Sequence, residues 1–212
     1  MLPFMRAQRR VFAPLILALA FAITGGSALA AEGKILPPAA RVASYSLTDA
    51  AQKTAYFNSS FDRATGNHYE NRYPSGLPFQ MLYLRQVNTF EVPSGTALYL
   101  PLWYVDDTPE IIGTFPTTSM GALHYAFDRS QLGARDVTVS IDGEAIPISN
   151  AYLAGPITSQ LGDGIGTHYI VQAIFLKLHK GTHTVVYNLF LDGDLLGGQL
   201  VSFSSSYTVI VK

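Results

Sequence analysis

From Pro78 to the C-terminus, apolar and polar residues alternate in short runs broken by turn residues, which is the period of β-strands. "RDVTVSI" is the clearest case: Val137, Val139 and Ile141 fall on one face, and Asp136, Thr138 and Ser140 on the other. Asp142-Gly143 follows, a dipeptide suited to a tight hairpin turn, and leads into "EAIPI". The last segment, "SFSSSYTVIVK", predicts a strand with Phe203, Ser205, Tyr207, Val209 and Val211 turned inward and mostly Ser and Thr opposite. "HYIVQAIFLKL" and "THTVVYNLFLDG" are apolar on both faces, which predicts strands covered on both sides. "FQMLYLRQVNTFEV" runs into a turn at Pro93-Ser94-Gly95 and then into "TALYLPLWYV". Pro93 presets that turn, and Gly95 supplies a positive φ.

Two stretches carry helix signals instead. "SLTDAAQKTAYF" (46–57) has Ser46 or Thr48 as N-cap. "TTSMGALHYAFDRSQLG" (117–133) has Thr118 or Ser119 to start it and Gly133 to end it, with Gly121 inside. Several short strands between Gly, Asp and Pro turns predict a mainly β protein. The expected form is a two-sheet antiparallel β-sandwich, Ig-like or jelly-roll-like, with one or two short helices. No repeat and no boundary is visible after residue 45, so 46–212 reads as one domain. Its long polar loop, 58–76, is studded with aromatics and opens on Asn58-Ser59-Ser60, formally a glycosylation acceptor. Residues 31–45, with their Pro pair, read as a leader or linker.

The first thirty residues follow a different pattern. Arg6, Arg9 and Arg10 precede the apolar run "VFAPLILALAFAI", and "TGGSALA" places Ala28 and Ala30 at a cleavage site, the order of a secretory signal peptide. A short membrane anchor or a buried helix is the competing interpretation. Arg9-Arg10 also touches the twin-arginine export pattern. Cleavage after Ala30 leaves no run long enough to span a bilayer as a helix, and the expected location is periplasmic or secreted.

Charge and composition narrow the chemistry. Without the three signal arginines, the fourteen Lys and Arg fall to eleven against fifteen Asp and Glu, a formal charge of −4. Nucleic-acid binding therefore has no electrostatic support. The chain has no cysteine, which removes disulfides, thiol catalysis, Cys-ligated zinc and iron–sulfur clusters. An exported chain of this kind must hold together by burial.

Few residues suggest chemistry. His179 and His183 stand four apart, but a metal-binding H-x-x-x-H needs a helix, and Lys180-Gly181 between them is turn chemistry. The expectation is a β-hairpin turn. His68 and Glu70 in "NHYENRY" could ligate zinc or share acid–base work. A solvated loop is the plainer reading. His124 is expected to pack or cap within its helix, and His168 starts a strand. "WYVDDTPE" gathers Asp106, Asp107 and Glu110 after an apolar strand. Calcium would need Asp163, or Asp192 and Asp194, to converge on that turn, which otherwise only solubilises. No cofactor is expected on this reading, with calcium and zinc left open. No G-x-S-x-G elbow is present, and "GDGIGTHY" opens a strand, so neither serine catalysis nor a phosphate loop has a motif. Tyr56, Phe57, Phe61, Tyr69 and Tyr73 crowd the polar loop, and Trp103 and Tyr104 precede the acidic turn. Such aromatics either grip a carbohydrate or protein partner or anchor the loop to the core. The binding candidates are Tyr69, Tyr73, Trp103, Tyr104, Asp106 and Asp107.

Three stretches together resemble a loose, functionally uncharacterised group of exported bacterial proteins: "FEVPSGTALYLPLWYVDDTPEIIGTFP", "VTVSIDGEAI" and "IFLKLHKGTHTV". In that group a G-x-x-L-x-x-P strand, a V-D-G hairpin and a P/K-G-x-H-T hairpin recur in this order. The matching positions are Gly95, Leu98, Pro101, Asp142, Gly143, Gly181, His183 and Thr184, within about residues 78–192. The resemblance implies a secreted β-sandwich and a structural role for His183, and carries over no catalytic residue. The expected function is an exported, non-catalytic binding or interaction module of the bacterial envelope, with a glycan or an envelope protein as partner. The alternatives are a metal-assisted hydrolase using His68, Glu70, Asp106 and Asp107, and a structural subunit assembling by edge-strand addition.

Overall fold

The computed structural model describes residues 33–109 and 112–212. Residues 1–30, read above as a signal peptide, and Glu110 of the acidic turn lie outside them. The elements in chain order are β1 (Lys34–Ile35), α1 (Leu47–Asn58), β2 (Phe79–Met81), β3 (Thr89–Val92), β4 (Ala97–Asp106), α2 (Ser119–Phe127), β5 (Ala134–Ile141), β6 (Glu144–Pro147), β7 (Leu153–Thr158), β8 (His168–Lys177), β9 (Gly181–Leu191) and β10 (Val201–Val211). One sheet runs β1-β8-β4-β2, with β7 also paired to β8; the other runs β3-β10-β9-β5-β6.

The protein is mainly β with two sheets and two helices, as the alternation predicts, but the sheets are mixed, not purely antiparallel. β2 runs parallel to β4 (Phe79 opposite Ala97), and β3 parallel to β10 (Thr89 opposite Thr208). The cause is the path between β2 and β4. The stretch predicted as one strand, 79–92, breaks at Leu82–Asn88, where the chain leaves the first sheet and enters the second as β3. The turn at Pro93–Thr96, with Gly95 at φ 82°, then returns it to the first sheet as β4. A strand of the opposite sheet thus supplies the crossover that a parallel pair requires.

Residues 178–180 behave the same way. The expected β8–β9 hairpin is a turn between sheets, since β8 and β9 belong to different ones. Of the turns at 93–96, 142–143 and 178–180, Asp142-Gly143, both at positive φ, is the one that closes a hairpin, β5–β6. Two-sided burial is correct for β8, where Tyr169–Leu176 are all buried: α1 lies over β7 and β8 on the outside and the second sheet covers the inside. In β9 it holds on one face only. Val185, Tyr187, Leu189 and Leu191 are buried, while Val186, Asn188 and Phe190 are half-covered, Phe190 by the Arg135 guanidinium 5.4 Å from its ring centre.

Both helices begin where their caps predict. Ser46 Oγ accepts the Asp49 N–H and Asp49 accepts the Ser46 N–H, a complete capping box, and Thr118 Oγ1 accepts the Gly121 N–H. Gly133 does not end α2, which stops at Phe127 with Asp128 as its cap. Gly133 sits at φ 62° against the backbone of Gly193, where a Cβ would come within 2.7 Å of a nitrogen. Its role is a close chain crossing. The segment read as a leader carries β1, paired to Lys177 and Leu176 of β8.

Candidate functional site

Two ladders stop short on the same side of the molecule. β2 pairs with β4 only as far as Tyr99, so Leu100–Asp106 has no partner on that edge among the described residues. β3 pairs with β10 only from Thr208 onward, so among the described residues Val201–Tyr207 is also unpaired on one side. The crossing segment Leu82–Asn88 joins the sheets where the ladders end. Beyond it they part, and a cleft of about 560 Å³ opens between them. That volume is in the range of small-molecule sites, roughly 300–1,000 Å³.

Leu82, Tyr83 and Leu84 of the crossing segment line the cleft, with Pro101–Asp106 on one side, Tyr187, Phe203 and Tyr207 on the other, and Phe61 and His68 contributed by the long loop. Local features of β4 shape that wall. Leu102 is an extra residue, since Pro101 stands opposite Ala173 and Trp103 opposite Gln172, and such a bulge re-aims the side chains that follow. Pro101, lacking an N–H, suits a strand with an open edge. On the facing sheet Phe203 and Ser205 alternate in phase with buried Tyr207, as predicted, yet Phe203 is 40% exposed. A large aromatic on an inner face that stays accessible marks where the sandwich is not closed. The cleft is therefore apolar and reachable from solvent.

Its polar groups are few. The Trp103 indole N–H donates to Gln172 Oε1 at 2.7 Å, and the Gln172 amide donates to the Ser149 carbonyl at 3.0 Å. The Tyr187 and Tyr207 rings stack 6.5 Å apart, and burial pushes both phenols up. Burial likewise pushes the Tyr104 phenol up, reinforced by the charges of Asp106 and Asp163 and opposed by Arg63. The His68 ring stacks on Phe57 at 5.3 Å, with Nδ1 3.2 Å from the Leu84 carbonyl oxygen and Nε2 3.1 Å from that of Asn58. Burial lowers its pKa, outweighing the two carbonyls that favour the charged ring.

The six binding candidates divide among several settings. Trp103, Tyr104 and Asp106 line the cleft, and Tyr69 is exposed on the Arg72 guanidinium, 4.9 Å from its ring centre. Tyr73 anchors the loop, its hydroxyl accepting the Met81 N–H at 2.9 Å. Asp107 accepts the N–H groups of Thr167 (2.7 Å) and His168 (2.8 Å), and its Oδ2 meets His168 Nδ1 at 2.6 Å. Glu70 pairs with Arg85 at 3.8 Å. His68, Glu70, Asp106 and Asp107 thus face separate partners, and Asp192 is held by Arg135 at 2.7 Å. Among the described residues no three His, Asp or Glu side chains are grouped to hold a metal ion. Phe203, Tyr187 and Tyr207 are site residues that sequence reasoning misses. Phe203, a lone aromatic among serines, carried the one available signal.

His183 is 2% exposed, with Nδ1 2.7 Å from Asp142 Oδ2 and Nε2 2.9 Å from the His179 carbonyl. Asp142 Oδ1 also accepts the Thr184 N–H at 2.8 Å. Two of the three motifs that carry the resemblance therefore clasp each other, joining the β5–β6 turn to the turn that enters β9.

No family model matches this chain, and neither a curated protein nor a solved structure gives a match.

Proposed function

We propose that the chain is an exported, non-catalytic binding module of the bacterial envelope that takes an apolar guest into the cleft between its sheets. The observation that carries this reading is an accessible apolar cavity of about 560 Å³ walled by both sheets, with Phe203 on the inner face still 40% exposed. Burying apolar guest surface there is favourable by about 25 cal/mol per Å², and few buried polar groups oppose it. Export rests on the n-, h- and cleavage-region order of residues 1–30.

Trp103 is the only tryptophan and lines the cleft, so it reports occupancy directly. Titration with the neutral probe N-phenyl-1-naphthylamine should give saturable one-to-one binding with energy transfer from Trp103, weakened in Phe203→Arg. Non-saturable uptake, or equal binding by the variant, would defeat the reading. Export is tested separately: mature protein from the native host should begin at Ala31 and fractionate outside the cytoplasm.

A second reading, assembly by strand addition, is favoured by one specific observation. The unpaired edge of β10 from Val201 to Tyr207 carries no charged side chain, the protection such edges commonly have. Light scattering across a concentration series decides it: a strand-adding subunit grows with concentration, and Ser204→Lys stops the growth.

A further inference from the structure

From the cleft and the groove beside it, we infer that the guest is an anionic amphiphile: an alkyl chain or ring system in the cleft and a carboxylate head at Arg63. The inference rests on the apolar-guest reading and names the chemistry of its ligand. A polar groove adjoins the cleft: Phe61, Tyr104, Asp106 and Thr108 line both, which places a guest in the cleft within reach of the groove's charged groups. Among the described residues the charged side chains on the groove are Arg63, Arg72, Asp106 and Asp163. Their formal charges cancel, so what decides the head group is which of them are already engaged.

Asp163 is the most committed. Its carboxylate accepts the Thr108 hydroxyl at 2.7 Å and the N–H groups of Ile165 at 3.0 Å and Gly166 at 3.2 Å. Asp106 accepts the Thr108 N–H at 3.1 Å through one oxygen. Arg72 donates to Ser60 Oγ at 3.1 Å and to the Gly162 carbonyl at 3.4 Å, and lies over Tyr69 and Tyr56. Arg63 has no hydrogen-bond or ion-pair partner among the described residues, while its charge reaches the Tyr104 phenol at the junction with the cleft. Both Arg72 bonds leave from Nη1, so the unsatisfied capacity of the groove is guanidinium N–H, the whole fork of Arg63 and the remaining donors of Arg72, a geometry that matches a carboxylate through two parallel bonds. The uncommitted oxygen of Asp106 is the competing group, and it would prefer a cation. Head groups of opposite charge on one chain thus make the decisive comparison.

The experiment is displacement of N-phenyl-1-naphthylamine by dodecanoate, dodecanol and dodecyltrimethylammonium, all below their micellar concentrations, read by energy transfer from Trp103. The three share a chain and differ in head charge. Dodecanoate should displace the probe at roughly tenfold lower concentration than dodecanol, the worth of about one charge-assisted bond. Arg63→Gln should bring that ratio close to one, and Lys180→Gln, remote in the β8–β9 turn, should leave it unchanged. Because the ratio is taken within each variant, a partly misfolded preparation does not imitate the effect. Equal displacement by dodecanoate and dodecanol would overturn the anionic head while leaving the cleft reading intact, and preference for the ammonium would overturn it in favour of Asp106. If the probe itself fails to bind, both readings fall together.

Discussion

At the scale of single residues, Asp142 and His68 show how buried polar contacts are spent on joining segments. Asp142 holds the buried His183 ring and the Thr184 N–H from a backbone at φ 53°, a left-handed region that Asp and Asn enter more readily than Ala. Asp142→Ala leaves a buried nitrogen and an N–H without acceptors and adds backbone strain. It should lower the unfolding free energy by about 3 kcal/mol, against about 1 kcal/mol for Asp142→Asn. Urea denaturation of the pair checks this, and two variants of equal stability would refute the clasp. His68 makes a pH prediction. Its ring sits between two carbonyl oxygens, and a neutral ring can donate to only one of them, yet burial still holds its pKa below the ordinary 6.5. A histidine with a depressed folded pKa binds fewer protons folded than unfolded, so its contribution to stability is complete above about pH 6.5 and declines below it. Wild type should therefore lose more stability between pH 7.5 and 5.5 than His68→Gln, with the His68 proton resonances titrating below 6.5. A midpoint above that value would contradict the burial argument.

At the scale of elements, α1 depends on its capping box. Ser46→Ala removes the acceptor for the Asp49 N–H and should destabilise the protein by about 1 kcal/mol, with Ser46→Thr, which keeps the hydroxyl that also donates to Asp49, close to wild type; calorimetry measures both. What was legible in the sequence follows from locality. Helix starts at Ser46 and Thr118, the Asp142-Gly143 hairpin and the alternation of β5 and β10 are each set by neighbours a few residues apart. The partner of a strand is not. Nothing in "PSG" or "HKG" tells a hairpin from a turn that changes sheets, because both need the same turn chemistry and differ only in distant contacts. The parallel pairs β2–β4 and β3–β10 were hidden for that reason. β1 is two residues long and has no period to read. The candidate site was legible in pieces: Trp103, Tyr104 and Asp106 could be named as unusual residues, but their meeting with Phe203, Tyr187 and the crossing segment depends on where two ladders stop.

At the scale of the whole molecule, the same ladder ends that open the cleft leave apolar surface exposed in the folded state, and a guest that covers it couples binding to stability. The fold has no disulfide to offset this, so guest binding should be visible in the melting temperature. A ligand that binds only the folded chain stabilises it by RT ln(1 + [L]/Kd), about 2.7 kcal/mol at a hundredfold excess over Kd. For a domain of this size each kcal/mol raises Tm by roughly 2–4 °C, so saturating guest should raise it by about 5–10 °C. Phe203→Arg, which places a charge at the mouth without touching the clasp at Asp142, should keep its own Tm close to wild type and lose most of that rise. Differential scanning fluorimetry with a dye that does not compete for the cleft, or circular dichroism melts, distinguishes the outcomes. A guest-dependent rise in wild type that the variant loses places the coupling in the cleft. A rise of equal size in both would locate the guest elsewhere, and no rise in either at concentrations that saturate the Trp103 signal would mean that the guest binds the unfolded chain comparably well.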